Sequence, residues 1–387
     1  MLRDVVQRSM ARGMRGWLVG MVVALMAAAG ASAAAAAGGG LVVSYSVPAG
    51  DPAAAIGGRA WTYDSAVTAA ALAATGREAA ARRILDVLAR VQRSDGGFAS
   101  SYAPDGSSPD SLLRSGAIAW VGLAAAEYRG AFCTTRYDAL LGGVARWLLE
   151  RRVSASASPA RGLLVGGPDV NWVSTEHNLE ARAFFAHVDD ASAGRGPCPT
   201  PVDGLSASLR TQVSAAVDGL DAGIDRALFI PGPPGSAFFG QGLDDRARPV
   251  DAQAMGIQWL LGRGRAADAA AVAATADATL RVEGRRIEGR DGAGAFTGYR
   301  PFADSWGPDV LWMEGTLQMR MAKAALGQDV AMLDDSADRW AALTPAGLLL
   351  HADRTVVGNA AGDYHVWPAA SPAAWLALSR SGSDLLR

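Results

Sequence analysis

Two kinds of helix alternate along the chain, set apart by where their apolar positions fall. The stretch YDSAVTAAALAATG (63–76) is small and apolar on nearly every side and stops at Gly76. The next, REAAARRILDVLARVQ (77–92), gathers Ile84, Leu85, Val87, Leu88 and Val91 on one face and charge on the other. It ends in SDGGF, a turn built from Asp95, Gly96 and Gly97, which completes one helical hairpin. The unit recurs as 115–128 with 137–152, 174–188 with 205–228, 250–262 with 266–282, and 309–327 with 330–343. A last apolar helix spans 371–381, its partner missing or very short. β patterning is confined to short candidates, GLLVGG (162–167) and LVVSYSV (41–47).

A first helix apolar all round is suited to burial on both sides, and an amphipathic second helix to an outer layer. Five such pairs and a sixth first helix in a row predict an all-α fold, an (α/α)6 toroid of about six helical hairpins over residues 59–387. An open solenoid is the alternative, but the unequal repeats and long inter-pair loops favour closure. In a closed ring all inner helices run the same way. Their N-termini then meet at one mouth, and the within-pair turns gather at the opposite rim. Cys133 and Cys198 fall in the within-pair turns of hairpins two and three, so a structural disulfide away from the mouth is expected.

The first 33 residues read as a secretory signal and not as part of the fold. Arg3, Arg8, Arg12 and Arg15 form a positive region, WLVGMVVALMAAAG an apolar one, and Ala31-Ser32-Ala33 a small-residue cleavage site. An uncleaved anchor is the runner-up. Residues 34–58 then form an N-terminal linker or extension. A secreted or periplasmic location follows, with no stable membrane insertion after cleavage, because no other segment reaches spanning length. The 387 residues are 50% hydrophobic and 19% charged, with a net charge of −2 that becomes about −5 once the leader is removed. Such a balance excludes a nucleic-acid partner. The chain carries 11 Trp, more than either Phe or Tyr, and most of these serve as core anchors.

The mouth is where polar groups cluster. Hairpin one brings Trp61, Tyr63 and Asp64, and hairpin two Arg114 and Ser115. Hairpin three brings Trp172, Glu176, His177 and Asn178, and hairpin four Asp251 and Gln253. Hairpin five brings Trp306, Asp309, Trp312, Glu314 and Gln318, and the last helix follows Tyr364, His365 and Trp367. Acids favour the first turn of any helix, which explains Asp64, Asp251 or Asp309 equally well, and Ser174 or Thr175 reads as an N-cap. Glu314 differs because it sits within the apolar LWMEGTLQM. Glu176-His177-Asn178 differs because capping does not require three large polar groups in a row. Burying them unpartnered would cost several kcal/mol, so they are expected to line a wet cavity.

Carboxylates with indole faces suit sugars, and paired carboxylates perform glycosidic chemistry. Glu176 and Glu314 are the expected catalytic pair, with Asp64 third. Trp61, Tyr63, Trp172, His177, Asn178, Asp251, Gln253, Trp306, Trp312, His365 and Trp367 are the expected contacts to a poly- or oligosaccharide. Two other readings stay open: a sugar epimerase or polysaccharide lyase using His177, His365 or Tyr63, and a non-catalytic glycan-binding envelope protein. No cofactor or metal is called for. The cysteines lack zinc spacing, no P-loop or dinucleotide fingerprint is present, and the loop aspartates Asp105, Asp110 and Asp291 read as solvated.

YDSAVTAAALAATGREAAARRIL, VQRSDGGF, WVSTEHN, VDAQA, WMEGT and HVWPAASPAAWLAL together resemble the six-hairpin glycosidase superfamily, in particular its secreted or envelope bacterial members. The resemblance covers residues 59–381. It implies a toroid acting as a hydrolase, an unsaturated-uronyl hydrolase or an epimerase, with Asp64, Glu176, His177 and Glu314 in the pocket. The DGGF-like turn also occurs in terpene cyclase toroids, but their acidic run and zinc set are absent from this sequence.

Overall fold

The computed structural model of the chain describes residues 40–344 and 348–387; the expected leader lies outside the described residues. Eleven α-helices are present among the described residues. Inner helices are α1 (Thr62–Ala74), α3 (Ser115–Phe132), α5 (Thr175–Ser192), α7 (Val250–Gly262), α9 (Met313–Ala325) and α11 (Ala370–Ser381). Outer helices are α2 (Glu78–Val91), α4 (Asp138–Leu149), α6 (Ala207–Ala227), α8 (Ala266–Leu280) and α10 (Ala331–Ala341).

Each inner helix packs on the next, α1 on α3, α3 on α5, α5 on α7, α7 on α9 and α9 on α11. Helix α11 then packs back on α1 and closes the ring. This closure rules out the open solenoid and establishes the all-α toroid. Inner helices are buried along almost their whole length, whereas α2 buries only its Ala81, Ile84, Leu85, Val87 and Leu88 face. Small residues let the inner helices approach. A Cβ added to Gly122 of α3 would sit 2.4 Å from the Phe184 ring of α5.

Four two-stranded antiparallel sheets decorate the mouth: β1 (Ala60–Trp61) with β2 (Ser101–Tyr102), β3 (Phe229–Pro231) with β4 (Ala237–Phe239), β5 (Arg281–Arg285) with β6 (Phe296–Tyr299), and β7 (Leu349–Leu350) with β8 (Pro368–Ala369). Three of them lead from an outer helix to the next inner one, and their period-2 runs are too short to stand out in the sequence. The two expected strand segments make only isolated bridges, Arg152 to Leu164, Gly167 to Val170 and Tyr45 to Ala369.

Helix α9 begins at Met313, not 309. Asp309 therefore stands outside it, paired with Arg285 at 3.1 Å. The described part of the N-terminal extension is laid against the ring. Val42 N–H donates to Ser65 Oγ, Ser46 N–H to Pro368 O and Ala370 N–H to Ser44 O. At the opposite end, Cys133 and Cys198 are disulfide-bonded with Cα atoms 4.9 Å apart. Residues after α11 fold beneath the ring with Leu385 and Leu386 buried. No described helix is long and apolar enough to cross a membrane.

Candidate active site

The inner helices start in a repeating way. The first residue hooks the helix to the neighbouring loop: Thr62 Oγ1 donates to Ala99 O (2.6 Å), Ser115 Oγ to Val165 O (2.7 Å) and Thr175 Oγ1 to Gly240 O (2.5 Å). The fourth residue ties the helix to the strand or loop before it. Asn178 accepts from Leu164 N–H (2.7 Å) and donates to Leu164 O (3.1 Å). Gln253 does the same to Phe239 at 2.8 and 2.7 Å, and Thr316 accepts from Tyr299 N–H at 2.9 Å. With positions one and four engaged, position two is turned to the interior of the ring. Around the ring that position holds Tyr63, Gly116, Glu176, Asp251, Glu314 and Ser371.

Five of these, all but Asp251, line a cavity of about 430 Å³. Of the residues expected from sequence, Trp61, Tyr63, Asp64, Glu176, His177, Trp312 and Glu314 line it, together with Arg114. Glu314 is the most tightly held. Its Oε1 accepts from Tyr63 O–H and its Oε2 from Ser371 Oγ (2.6 Å). Tyr63 is fixed in turn by Trp375 Nε1–H, 3.0 Å from its oxygen, and burial keeps it protonated as a donor. Burial raises Glu314 to about 7, although the two hydrogen bonds oppose that rise by favouring the carboxylate.

Glu176 is raised well above the usual carboxyl range, first by burial and then by Asp251, Glu180 and Glu314. Burial also raises Asp64 to about 6, against hydrogen bonds from Ser44 and Ser371, and Asp251 to about 6. His177 moves the other way, to about 4, through burial and then the Arg114 charge, and so stands neutral. Arg114 is itself bound to Asp169 at 2.7 Å.

Seven expected contacts do not line the cavity. Asn178 and Gln253 are fully buried and consumed as backbone clamps. Trp172 and Trp306 are each 44% exposed; Trp172 packs its ring on His177 and Trp306 on Phe302. His365 and Trp367 stack on each other at 3.5 Å and do not line the cavity. Asp251 occupies the ring position on α7 and acts on Glu176 through its charge.

The cavity also has walls that the sequence reading missed: Tyr45, Ser100, Leu112, Glu180, His351 and Ser371. Ser371 was detectable as the sixth member of the position-two set, and Glu180 as the residue one turn below Glu176. Tyr45 and His351 come from loops that carry no periodic signal. His351 Nε2 accepts from Trp312 Nε1–H (3.2 Å), which leaves the proton on Nδ1; that atom has no partner among the described residues. Burial lowers His351 to about 4, so it too is neutral. Among the described residues no group of three or more His, Cys, Asp or Glu is arranged to hold a metal ion.

No protein-family profile matches the sequence, and no curated protein sequence matches it. Solved structures do match. A glycosidase superposes with a TM-score of 0.64 at 15% identity over 94% of this chain and 97% of its own; one of its variants was solved in complex with glucose. A bacterial glucoamylase complexed with acarbose gives 0.56 at 15% identity over 85% of this chain and 49% of the enzyme. A D-mannose isomerase gives 0.55 at 10% identity over 85% of this chain and 88% of its own. At these identities the likeness is one of architecture: the chain shares the (α/α)6 toroid fold of these structures.

Proposed function

We propose that the chain is a glycoside hydrolase acting on a poly- or oligosaccharide, with Glu176 as general acid and Glu314 as general base. The observation that carries this is the asymmetry between two carboxyl groups on one cavity. Glu314 has a donor on each oxygen, which suits the ionised form, while Glu176 is held protonated by burial and by three neighbouring acids. Environments that push two carboxyls towards opposite roles are what glycosidic cleavage requires. Glu176 protonates the leaving oxygen, and Glu314 takes a proton from the water that attacks the anomeric carbon. Asp64, Trp61 and Trp312 then position the sugar ring from the cavity wall.

The glycosidase that holds glucose and the glucoamylase that holds acarbose support a sugar in this cavity. Epimerase or lyase chemistry is less well supported, even though a D-mannose isomerase shares the fold. His177 and His351, near 4, are weak bases for a carbon acid, and His365 lies outside the cavity. The arginine-rich leader and the Cys133–Cys198 bridge support work outside the cytoplasm.

The test is to assay wild type, Glu176→Gln and Glu314→Gln against a glycan panel, following both reducing ends and absorbance at about 235 nm. Hydrolysis gives new reducing ends that each variant reduces about 10²–10⁴-fold. An unsaturated product, or turnover that neither variant alters, overturns the proposal.

A further inference from the structure

Gly116 is the odd member of the position-two set. The other five are Tyr, Glu, Asp, Glu and Ser, and Gly116 has no positive φ that would require glycine. Glycine inside a helix is unfavourable against alanine, so its place here needs a spatial reason. The reason is the space beside it. A Cβ at 116 would stand 2.4 Å from His177 Cδ2 and 2.6 Å from Glu180 Oε2. Glu180 lies one turn below Glu176 on α5. Side chains on a helix lean towards its N-terminus, so Glu180 rises towards the cavity that it helps to line.

The Glu180 residue is 1% exposed. Its Oε1 accepts from Trp120 Nε1–H, which fixes the carboxyl plane, and its Oε2 has no partner among the described residues. Beside it, His177 Nδ1 is also buried without a partner. A buried polar atom left unmatched is costly, and one aimed into a cavity is matched by what enters that cavity.

We infer that Glu180, in the niche opened by Gly116, is a specificity-determining residue that hydrogen-bonds one hydroxyl of the sugar unit held between Glu176 and Glu314. This rests on the carbohydrate reading above. Glu180 takes no part in proton transfer to the scissile oxygen. It discriminates for the hydroxyl because a sugar lacking that group leaves Oε2 unmatched.

The probes are glucose, mannose and their monodeoxy analogues, titrated calorimetrically into the full chain and into Glu180→Ala and Gly116→Ala. Wild type is expected to lose about tenfold or more in affinity for one deoxy analogue. Glu180→Ala should bind that analogue and its parent within about twofold of each other. Gly116→Ala, whose Cβ crowds His177 and Glu180 Oε2 and displaces the carboxylate from the niche, should weaken the parent sugar about tenfold while still melting cooperatively. A purely structural Glu180 would leave the parent-to-analogue ratio unchanged. If wild type binds a parent sugar and Glu180→Ala keeps the full discrimination, the niche is overturned and the hydrolase reading stands. If neither parent binds wild type, the carbohydrate reading falls and the niche with it.

Discussion

Tyr63 illustrates how a single side chain sets the chemistry of another. Its hydroxyl donates to Glu314 Oε1 and receives the Trp375 indole N–H, so it both orients the proposed base and stabilises its charge. Tyr63→Phe removes a bond that favours ionised Glu314, so the Glu314 pKa rises above about 7. The expected result is a fall in kcat of about ten- to a hundredfold, with the acidic limb of the pH–rate profile displaced to higher pH. An unshifted limb would remove Tyr63 from that role. In wild type the sign is fixed. With the proposed roles, kcat/KM is expected to fall as pH drops through about 7 and Glu314 is protonated, and to fall again at higher pH as Glu176 ionises. Glu176, Glu314, Asp64 and Tyr63 were legible in the sequence because large polar groups interrupt helices that are otherwise apolar. His351 and Tyr45 were not, because a loop gives no periodicity from which to read a side chain's direction.

The helix start is the element that the sequence half disclosed. Polar residues at the N-termini of inner helices were visible, but one turn of helix sends them in different directions. Position two enters the ring, while position four turns back to the preceding strand or loop. Asn178 and Gln253 were therefore read as sugar contacts when they are clamps, their amides spent on Leu164 and Phe239. Without an observed helix start, a shift of one or two residues in the expected boundary exchanges the two roles, and the Asp309 reading failed in the same way. Asn178→Ala leaves both backbone groups of buried Leu164 unmatched. It should cost about 3 kcal/mol in urea unfolding. A cost below about 0.5 kcal/mol would show that the clamp is not a structural tie.

At the scale of the whole molecule, the ring places its acids at one end and its covalent bridge at the other. The disulfide closes a span of 65 residues, so reducing it should cost about 4 kcal/mol of stability by chain entropy. Because it lies away from the mouth, mild reduction at a temperature where the chain stays folded should leave turnover unchanged. The acids impose a pH dependence of the opposite sense to most ion pairs. Carboxyls whose folded pKa values are raised bind more protons folded than unfolded, so stability declines as pH rises from near 4 through the folded values. Glu314 reaches about 7, and Glu176 and Glu180 stand well above the usual range. His177 and His351, lowered to about 4, act oppositely but are spent by the ordinary histidine value of 6.5. Above about pH 6.5 Tm should therefore fall as pH rises, and Glu176→Gln combined with Glu180→Gln should flatten the slope. A slope unchanged in that double variant would mean that these acids ionise as freely folded as unfolded.

The alternation of apolar and amphipathic helices forecast stacked helical hairpins, and the unequal repeats and long inter-pair loops favoured a closed ring over a solenoid. The mouth hairpins were not forecast, because two- to five-residue strands leave no pattern. The most direct test of the whole account is a crystal structure of the Glu176→Gln variant soaked with an oligosaccharide that it binds. A sugar seated at the position-two ring, with its glycosidic oxygen against residue 176 and Glu314 on the other side of the anomeric carbon, is the expected result. A sugar bound on the outer helices or at the disulfide end, with the ring cavity unoccupied, would contradict it.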